Sequence, residues 1–244
     1  MDRFRVSAVT HPGFVRDHNE DAYVSRPELG LWAVADGAGG HEGGEVASAL
    51  IAEALSSIPP EIAADEVLSQ VRLRIADTHS TLKDRAAQRG EGVLMASTVV
   101  ILIIRDGFFA ALWAGDSRGY LLREGELARI TRDHSLVQEL VDGGQITERE
   151  AEAHPRANVV TRAVGADPDV VDLDKTTGPI ALRDCFMLCS DGLTKELADH
   201  EIGEILRSQE GRSAADALVD AALTRGARDN VTAVVVEVIG DESD

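Results

Sequence analysis

Residues 97–114 read STVVILIIRDGFFAALWA, two apolar runs separated by the polar tripeptide Arg105-Asp106-Gly107. Both runs have the length of a β-strand and are rich in β-branched and aromatic residues, which favour strands. An Asp-Gly pair between two such runs is typical of a hairpin turn. The stretch therefore predicts two antiparallel strands, at 97–104 and 108–114.

The same reasoning extends outward in both directions along the chain. Apolar patterns predict further strands at 4–10, 22–25, 31–35, 119–123, 126–130, 170–176, 185–190 and 232–239. They predict helices at 45–57, 65–89, 135–142, 147–153, 199–208 and 213–225. Strands and helices come in groups rather than in strict alternation, which favours an α+β fold with antiparallel sheets covered by helices. We expect one domain over 1–240 and a frayed tail at 241–244.

Composition narrows the classes of partner. The 244 residues carry a net charge of −19, and no basic cluster is present, so we expect neither a nucleic-acid nor a membrane partner. No apolar run approaches the roughly 18 residues of a membrane span, and residues 1–5 lack the apolar stretch of a signal peptide. Cys185 and Cys189 lie four apart on one predicted strand, too far apart to bond, and reduced thiols suit the cytoplasm. We take a monomer as the default state.

One local sequence pattern recurs along the chain and indicates a functional site. An apolar strand ends in an aspartate beside a glycine or a small polar residue at Asp36, Asp116 and Asp191. Acidic residues also stand just before strands, at Glu20-Asp21 and at Asp229. Aspartate favours turns, so turn formation alone is one interpretation. The other is a shared rim where converging carboxylates hold Mg²⁺ or Mn²⁺, since no Cys/His set suited to zinc is present.

These segments resemble the motifs of the metal-dependent protein phosphatases, the PPM or type 2C family, in its compact bacterial form. The resemblance covers nearly the whole chain in the order of the family. The segments that carry it are Arg16-Asp17-His18-Asn19-Glu20-Asp21, Ala35-Asp36-Gly37-Ala38-Gly39-Gly40-His41, Ala96-Ser97-Thr98, Gly115-Asp116-Ser117-Arg118, 131–135, 158–165, Ser190-Asp191-Gly192 and Asp229-Asn230.

The resemblance implies a four-layer α-β-β-α sandwich and an enzyme that removes phosphate from phosphoserine and phosphothreonine in proteins. A water activated by a dinuclear Mg²⁺ or Mn²⁺ centre would attack phosphorus. By resemblance, Asp36 bridges the two ions, the Gly37 carbonyl ligates the first, and Asp191 and Asp229 complete the second. Asp116 would hold a third, weaker ion together with Asp191. Metal-bound waters would be oriented by Glu20, Asp21 and Asn230, and Arg16 would bind the substrate phosphate.

The sequence departs from the family at one position. Many members have a histidine directly after the Asp-Gly motif, where this chain has Ala38. His41, three residues later, is either a general acid or a structural loop residue. By resemblance, residues 133–165 form a flap that borders the site and shapes substrate choice, and a Ser/Thr kinase and its targets are the expected partners.

Two other functions remain open at this point. A phosphatase fold can serve as a non-catalytic binding module, although such proteins usually lose metal ligands, and Asp36, Asp191 and Asp229 are all retained here. A phosphatase for small molecules is the other alternative. Neither the physiological substrate nor a role in kinase signalling or secretion control follows from the residues.

Overall fold

Two antiparallel β-sheets form the centre of the structure, a computed structural model that describes residues 3–39, 43–166, 170–208 and 213–240. The strands are β1 Phe4–His11, β2 Asp21–Arg26, β3 Leu31–Ala38, β4 Ala96–Ser97, β5 Val99–Arg105, β6 Phe108–Ala114, β7 Arg118–Arg123, β8 Glu126–Arg129, β9 Asp174–Pro179, β10 Cys185–Cys189 and β11 Val231–Val238. The helices are α1 Gly43–Ser56, α2 Ala64–Arg89, α3 Leu136–Asp142, α4 Glu148–Glu152, α5 Asp191–Thr194, α6 Asp199–Arg207 and α7 Ala214–Thr224, with a 3-10 turn at Pro27–Leu29.

The two sheets share no strand. One has the order β1-β11-β10-β7-β8 and the other β2-β3-β5-β6-β9, with the short β4 paired to β3. Strands from the start and the end of the chain are therefore neighbours: β1 pairs with β11 over its whole length, from Phe4 opposite Val238 to His11 opposite Val231.

Three apolar layers hold the sandwich together. Between the sheets lie inward-facing side chains such as Trp32, Val100 and Phe186, all fully buried. The outer face of the β2-β3-β5-β6-β9 sheet packs against α1 and α2, and the outer face of the other sheet packs against α6 and α7. The predicted four-layer α-β-β-α architecture is confirmed.

Most predicted elements are found within one or two residues. The hairpin turn predicted at Asp106-Gly107 is confirmed, and Glu124-Gly125 forms a second one between β7 and β8. Asp106, Glu124 and the glycines that follow them all have positive φ values, as tight hairpins with a right-handed twist require. The strand predicted at 170–176 is wrong in position, because β9 spans Asp174–Pro179. Val171 and Leu173 instead pack as buried loop residues against the α1–α2 side of the core.

The apolar strand β10 contains both cysteines, and both are free thiols. Within the described ranges, none of the helices combines the length and the apolar character needed to cross a membrane. The predicted frayed tail, 241–244, lies outside the described residues.

Candidate metal centre

Asp21 and Asp36 are directly opposite each other where β2 and β3 pair at one end of the sandwich. The Asp21 side chain is buried and reaches across to the other sheet, where Ser190 Oγ and Thr232 Oγ1 donate hydrogen bonds to its Oδ2 atom at 2.7 and 2.6 Å. Its second oxygen, Oδ1, is buried without a hydrogen-bond partner among the described residues. Asp21 therefore links the two sheets and leaves one carboxylate oxygen free inside the site.

The backbone around Asp36 is fixed by the neighbouring strand residues. The Asp36 carbonyl oxygen accepts hydrogen bonds from Ser97 Oγ and from the Thr98 N–H, each at 2.9 Å. The next residue, Gly37, packs so tightly that a Cβ there would lie 2.2 Å from the Gly44 carbonyl oxygen. Only glycine allows the start of α1 to approach this closely, which explains the glycine after Asp36.

Asp116 follows β6, and the next residue, Ser117, belongs to a buried pair of hydroxyl groups. Thr98 Oγ1 and Ser117 Oγ are 2.7 Å apart and both residues are buried. Burial, the nearby Asp191 carboxylate and Asp133 raise the pKa of Asp116 to about 7. Asp116 therefore belongs electrostatically to the same cluster as Asp191.

Asp191 and Asp229 are brought together by a lysine. Lys195 Nζ lies 2.6 Å from Asp191 Oδ2 and 3.1 Å from Asp229 Oδ2, and so bridges the two carboxylates. Burial would raise the pKa of Asp229, but Lys195 and Arg16 together lower it.

The remaining carboxylates repel one another. Burial raises the pKa of Asp36 well above its ordinary value, and the charges of Asp21, Asp191, Asp116 and Asp229 raise it further. Burial likewise raises the pKa of Asp21 to about 6. Such mutual destabilisation of charged groups is what a bound cation relieves, and similar pKa shifts cluster at functional sites.

Arg16 lies at the entrance of this cluster. Its Nε atom donates a hydrogen bond to Asp229 Oδ1 at 2.9 Å, and its side chain remains about half exposed, at 54%. An exposed guanidinium beside the carboxylates is well positioned to contact an incoming anion.

The side-chain amide of Asn230 makes hydrogen bonds to the backbone of residues 12–20. Its Nδ2 atom donates to the carbonyl oxygens of Pro12 and His18 at 2.9 and 3.0 Å, and its Oδ1 atom accepts from the Glu20 N–H at 2.8 Å. Both amide hydrogens and the oxygen are thus used to hold the loop that carries Arg16. Glu20 is fixed in the same way, since its carbonyl oxygen accepts the Gly37 N–H at 3.0 Å.

The structure brings most of the predicted site residues to one end of the sandwich. They are Arg16, Glu20, Asp21, Asp36, Gly37, Asp116, Asp191, Asp229 and Asn230. His41, the candidate general acid, lies outside the described residues.

The donor set fits hard divalent cations, because it consists of carboxylate and carbonyl oxygens and includes the unpartnered Oδ1 of Asp21. In the part of the chain that the structure describes, however, no three Asp, Glu, His or Cys side chains are close enough together to ligate a single ion. The candidate ligands therefore lie at the same end of the sandwich, but no three of them surround a single ion position among the described residues.

Sequence reasoning missed three residues of the site, namely Lys195, Ser190 and Thr232. The spacing of Asp191 and Lys195, four apart at a helical turn, could have indicated their ion pair. The contacts of Lys195 with Asp229 and of Asp21 with the two hydroxyl groups join distant segments, and no local pattern reveals them.

The predicted flap, residues 133–165, is tied to the site at both ends. At its start, Arg118 donates a two-pronged hydrogen bond to the Asp133 carboxylate, with Nη2 2.7 Å from Oδ2. At its end, Val164 and Ser97 exchange two backbone hydrogen bonds, at 2.9 and 3.0 Å. Between the flap and residues 191–201 lies a groove of about 810 Å³ that begins at Asp116 and Asp191.

The fold is that of protein phosphatases of the 2C type. Residues 16–225 match the family model described as "Protein phosphatase 2C". The chain therefore belongs to the protein phosphatase 2C family, and its bacterial relatives include proteins named serine/threonine protein phosphatase and serine/threonine phosphatase.

Two bacterial relatives illustrate the match. The serine/threonine protein phosphatase PstP of Mycobacterium tuberculosis is 35% identical over 235 residues, which cover 96% of this chain but 45% of PstP. The chain thus spans about half the length of that relative. The serine/threonine phosphatase stp of Listeria monocytogenes is 35% identical, with 93% of each chain covered.

Solved structures agree with this assignment. PppA, described as a key regulatory component of T6SS in Pseudomonas aeruginosa, superimposes with a TM-score of 0.86 at 42% identity, with 96% of each chain covered. The catalytic domain of PstP, solved in complex with two manganese ions, superimposes with a TM-score of 0.86 at 34% identity over 97% of this chain and 99% of that one.

Proposed function

We propose that this protein hydrolyses phosphoserine and phosphothreonine esters in proteins at a centre of two Mn²⁺ or Mg²⁺ ions. One observation carries the proposal: the carboxylates of Asp36, Asp191 and Asp229, which are far apart in sequence, gather at one end of the sandwich and repel one another there. The related PstP catalytic domain, solved in complex with two manganese ions, supports a centre of two divalent ions.

The proposed ligands keep the roles expected from the family. Asp36 would bridge the ions, with the Gly37 carbonyl on the first and Asp191 and Asp229 on the second. Asp116 would join Asp191 on a third, weaker ion. When bound, the ions would lower the pKa of a water molecule and offset the charge of the phosphate.

The residues of the chain itself would orient the site and the substrate. Asp21 keeps one oxygen free inside the site while Ser190 and Thr232 hold the other, so its carboxylate has one fixed direction. Glu20 is held on the same rim by Asn230. Arg16, half exposed beside Asp229, would bind the substrate phosphate with its planar guanidinium.

A protein substrate would lie across the rim of the site. Arg16, Asn158 and Arg228 line a cavity of about 530 Å³ beside the carboxylates, and the groove under the flap continues from Asp116. Both are open and polar, which suits a phosphorylated chain segment better than an enclosed metabolite. A Ser/Thr kinase and its targets are the proposed source of such substrates.

Two further parts of the proposal are an active monomer and a cytoplasmic location. The free thiols of Cys185 and Cys189 support a reducing compartment. For His41, two roles are proposed as alternatives: general acid or structural loop residue.

The test is the hydrolysis of a phosphothreonine peptide and of p-nitrophenyl phosphate, with Mn²⁺, with Mg²⁺ and with EDTA. We expect turnover with either ion and none with EDTA, and a higher kcat/KM for the phosphopeptide than for a sugar phosphate. Phosphopeptide binding without metal-dependent turnover would favour a binding module instead. A preference for sugar phosphates would favour a small-molecule phosphatase.

A further inference from the structure

The ammonium group of Lys195 occupies the space between two of the proposed metal ligands. It lies 2.6 Å from Asp191 Oδ2 and 3.1 Å from Asp229 Oδ2, within hydrogen-bond distance of both oxygens.

The position of Lys195 is set by the backbone. The short helix α5 begins at Asp191, and the Lys195 N–H donates to the Asp191 carbonyl oxygen at 2.8 Å. One helical turn therefore returns the lysine side chain to the face of Asp191, as the spacing of four residues requires. Asp229 meets it from the loop before β11.

A divalent ion that used the same two oxygens would compete directly with the ammonium. Both are cations attracted by the same carboxylates, and at such short separation they would repel each other strongly. In the described part of the chain, no three acidic, His or Cys side chains close around one point, as expected if a lysine holds two of the ligands.

We propose that Lys195 is a tethered counter-cation that holds the Asp191–Asp229 pair in the metal-free protein and is displaced when a divalent ion binds there. The inference rests on the ligand assignment of the proposed function. Lys195 lines the cavity of about 530 Å³ beside Arg16 and Arg228, so its freed side chain has room to move.

Lys195 would affect two quantities in opposite directions: the stability of the metal-free fold and the affinity for the ion. Without metal, Lys195 offsets the repulsion between Asp191 and Asp229 and stabilises the fold. With metal, the ion pairs must first break, so the same lysine weakens the apparent affinity for the ion. A lysine that merely supported the structure would stabilise both states alike.

The first experiment compares wild type with Lys195→Met by calorimetric titration with Mn²⁺ and by thermal unfolding. We expect the variant to bind Mn²⁺ about tenfold more tightly, a difference of about 1.4 kcal/mol. We also expect its Tm to fall in EDTA and to return to the wild-type value in saturating Mn²⁺. Unchanged or weaker Mn²⁺ binding, or an equal loss of Tm in both conditions, would overturn the proposal.

Arg228→Met is the matched control. Arg228 is exposed, lines the same cavity and has no ion pair with another described residue, so its loss removes one positive charge nearby without freeing a ligand. We expect its Mn²⁺ affinity to change less than threefold. An equal gain in both variants would mean that overall charge, not occupation of the ligand pair, causes the effect.

The second experiment needs no variant. Lysine acetylation by acetic anhydride, measured by mass spectrometry on wild type, should be slow at Lys195 in EDTA and several-fold faster in saturating Mn²⁺. Lys175, exposed on β9, is the internal control and should react equally in both. Equal Lys195 rates with and without Mn²⁺ would overturn displacement. If Mn²⁺ does not bind wild type, the proposed function fails as well, whereas normal metal-dependent turnover with no effect at Lys195 overturns this inference alone.

Discussion

Gly192 lies against the backbone of Asn230 so closely that a Cβ on Gly192 would be 2.0 Å from the Asn230 carbonyl oxygen. The contact joins the turn after β10 to the loop before β11, and the residues next to it are Asp191 and Asp229. The approach of these two carboxylates thus depends on a missing side chain, not only on their own contacts.

We expect Gly192→Ala to destabilise the protein and to spread the Asp191–Asp229 pair. A methyl group 2.0 Å from a carbonyl oxygen forces the backbone apart, at a cost of about 3 kcal/mol. That corresponds to a Tm lower by roughly 6–12 °C for a chain of this length.

Gly125→Ala is the control for this change. Gly125 has a φ of +85° but open space around it, so only the backbone conformation is penalised, by about 1–2 kcal/mol. In thermal unfolding, the Tm of Gly192→Ala should be clearly lower than the Tm of Gly125→Ala. Titration with Mn²⁺ should show weaker binding only in Gly192→Ala. A milder effect at Gly192 would mean that the close packing there is not needed.

Asp36→Asn and Asp191→Asn should each lower kcat/KM by at least about 100-fold, because the loss of a ligand removes several kcal/mol of transition-state stabilisation. Both variants should remain folded, since neither carboxylate is needed to satisfy a buried backbone group. Asp77→Asn, on the exposed face of α2, is the isosteric control and should keep wild-type activity. Wild-type turnover in either site variant would contradict the ligand assignment.

Arg16→Ala should raise KM for a phosphopeptide about 5- to 20-fold, because a charge-assisted contact to phosphate contributes about 1–2 kcal/mol at an exposed position. The value of kcat should change less. The comparison is Arg5→Ala, an exposed arginine that pairs with Glu237 away from the site. An unchanged KM in Arg16→Ala would remove this residue from the proposed phosphate site.

Stability of the metal-free protein should rise as the pH falls from 8 toward 5. Burial and Asp191 raise the pKa of Asp116 from 3.8 to about 7, so between these values the folded state binds a proton that the unfolded state has lost. Stability is then lost as the pH rises through this window. Asp21, whose pKa is raised to about 6 mainly by burial, acts in the same direction.

The substitution Asp116→Asn tests the expected direction of this pH dependence of stability. The variant should show a shallower dependence of Tm on pH between 5 and 7 in EDTA, whereas Asp77→Asn should match wild type. Saturating Mn²⁺ should reduce the dependence in wild type, because the ion replaces the proton as the group that offsets the charge. A Tm that falls on acidification from 8 to 5 in EDTA would contradict the account.

The strands and their hairpins were predictable because their determinants are local. Alternating and apolar runs around Asp106-Gly107 and Glu124-Gly125 specify both strand length and turn type. The strand β9 was misplaced because its sequence ends in Gly178-Pro179, which local reasoning excludes from a strand. β9 is paired only to β6, so it is an edge strand, where proline is tolerated.

That Asp36, Asp191 and Asp229 lie at one end of the sandwich was also predictable, from the motifs around them. Their partners were not. Asn230 binds the loop that carries Arg16, and Lys195 bridges two carboxylates, through contacts between segments far apart in the chain. Such contacts depend on how the two sheets are stacked, which residue spacing does not encode.

In the proposed metal centre, Asp36, Asp191 and Asp229 together would hold two divalent ions. Crystals soaked in Mn²⁺ and measured at the manganese absorption edge test it most directly. We expect two anomalous peaks about 3.5–4 Å apart, with Asp36 contacting both, Asp191 and Asp229 contacting one, and Lys195 moved away. Anomalous peaks elsewhere on the surface, or none at this end of the sandwich, would contradict it.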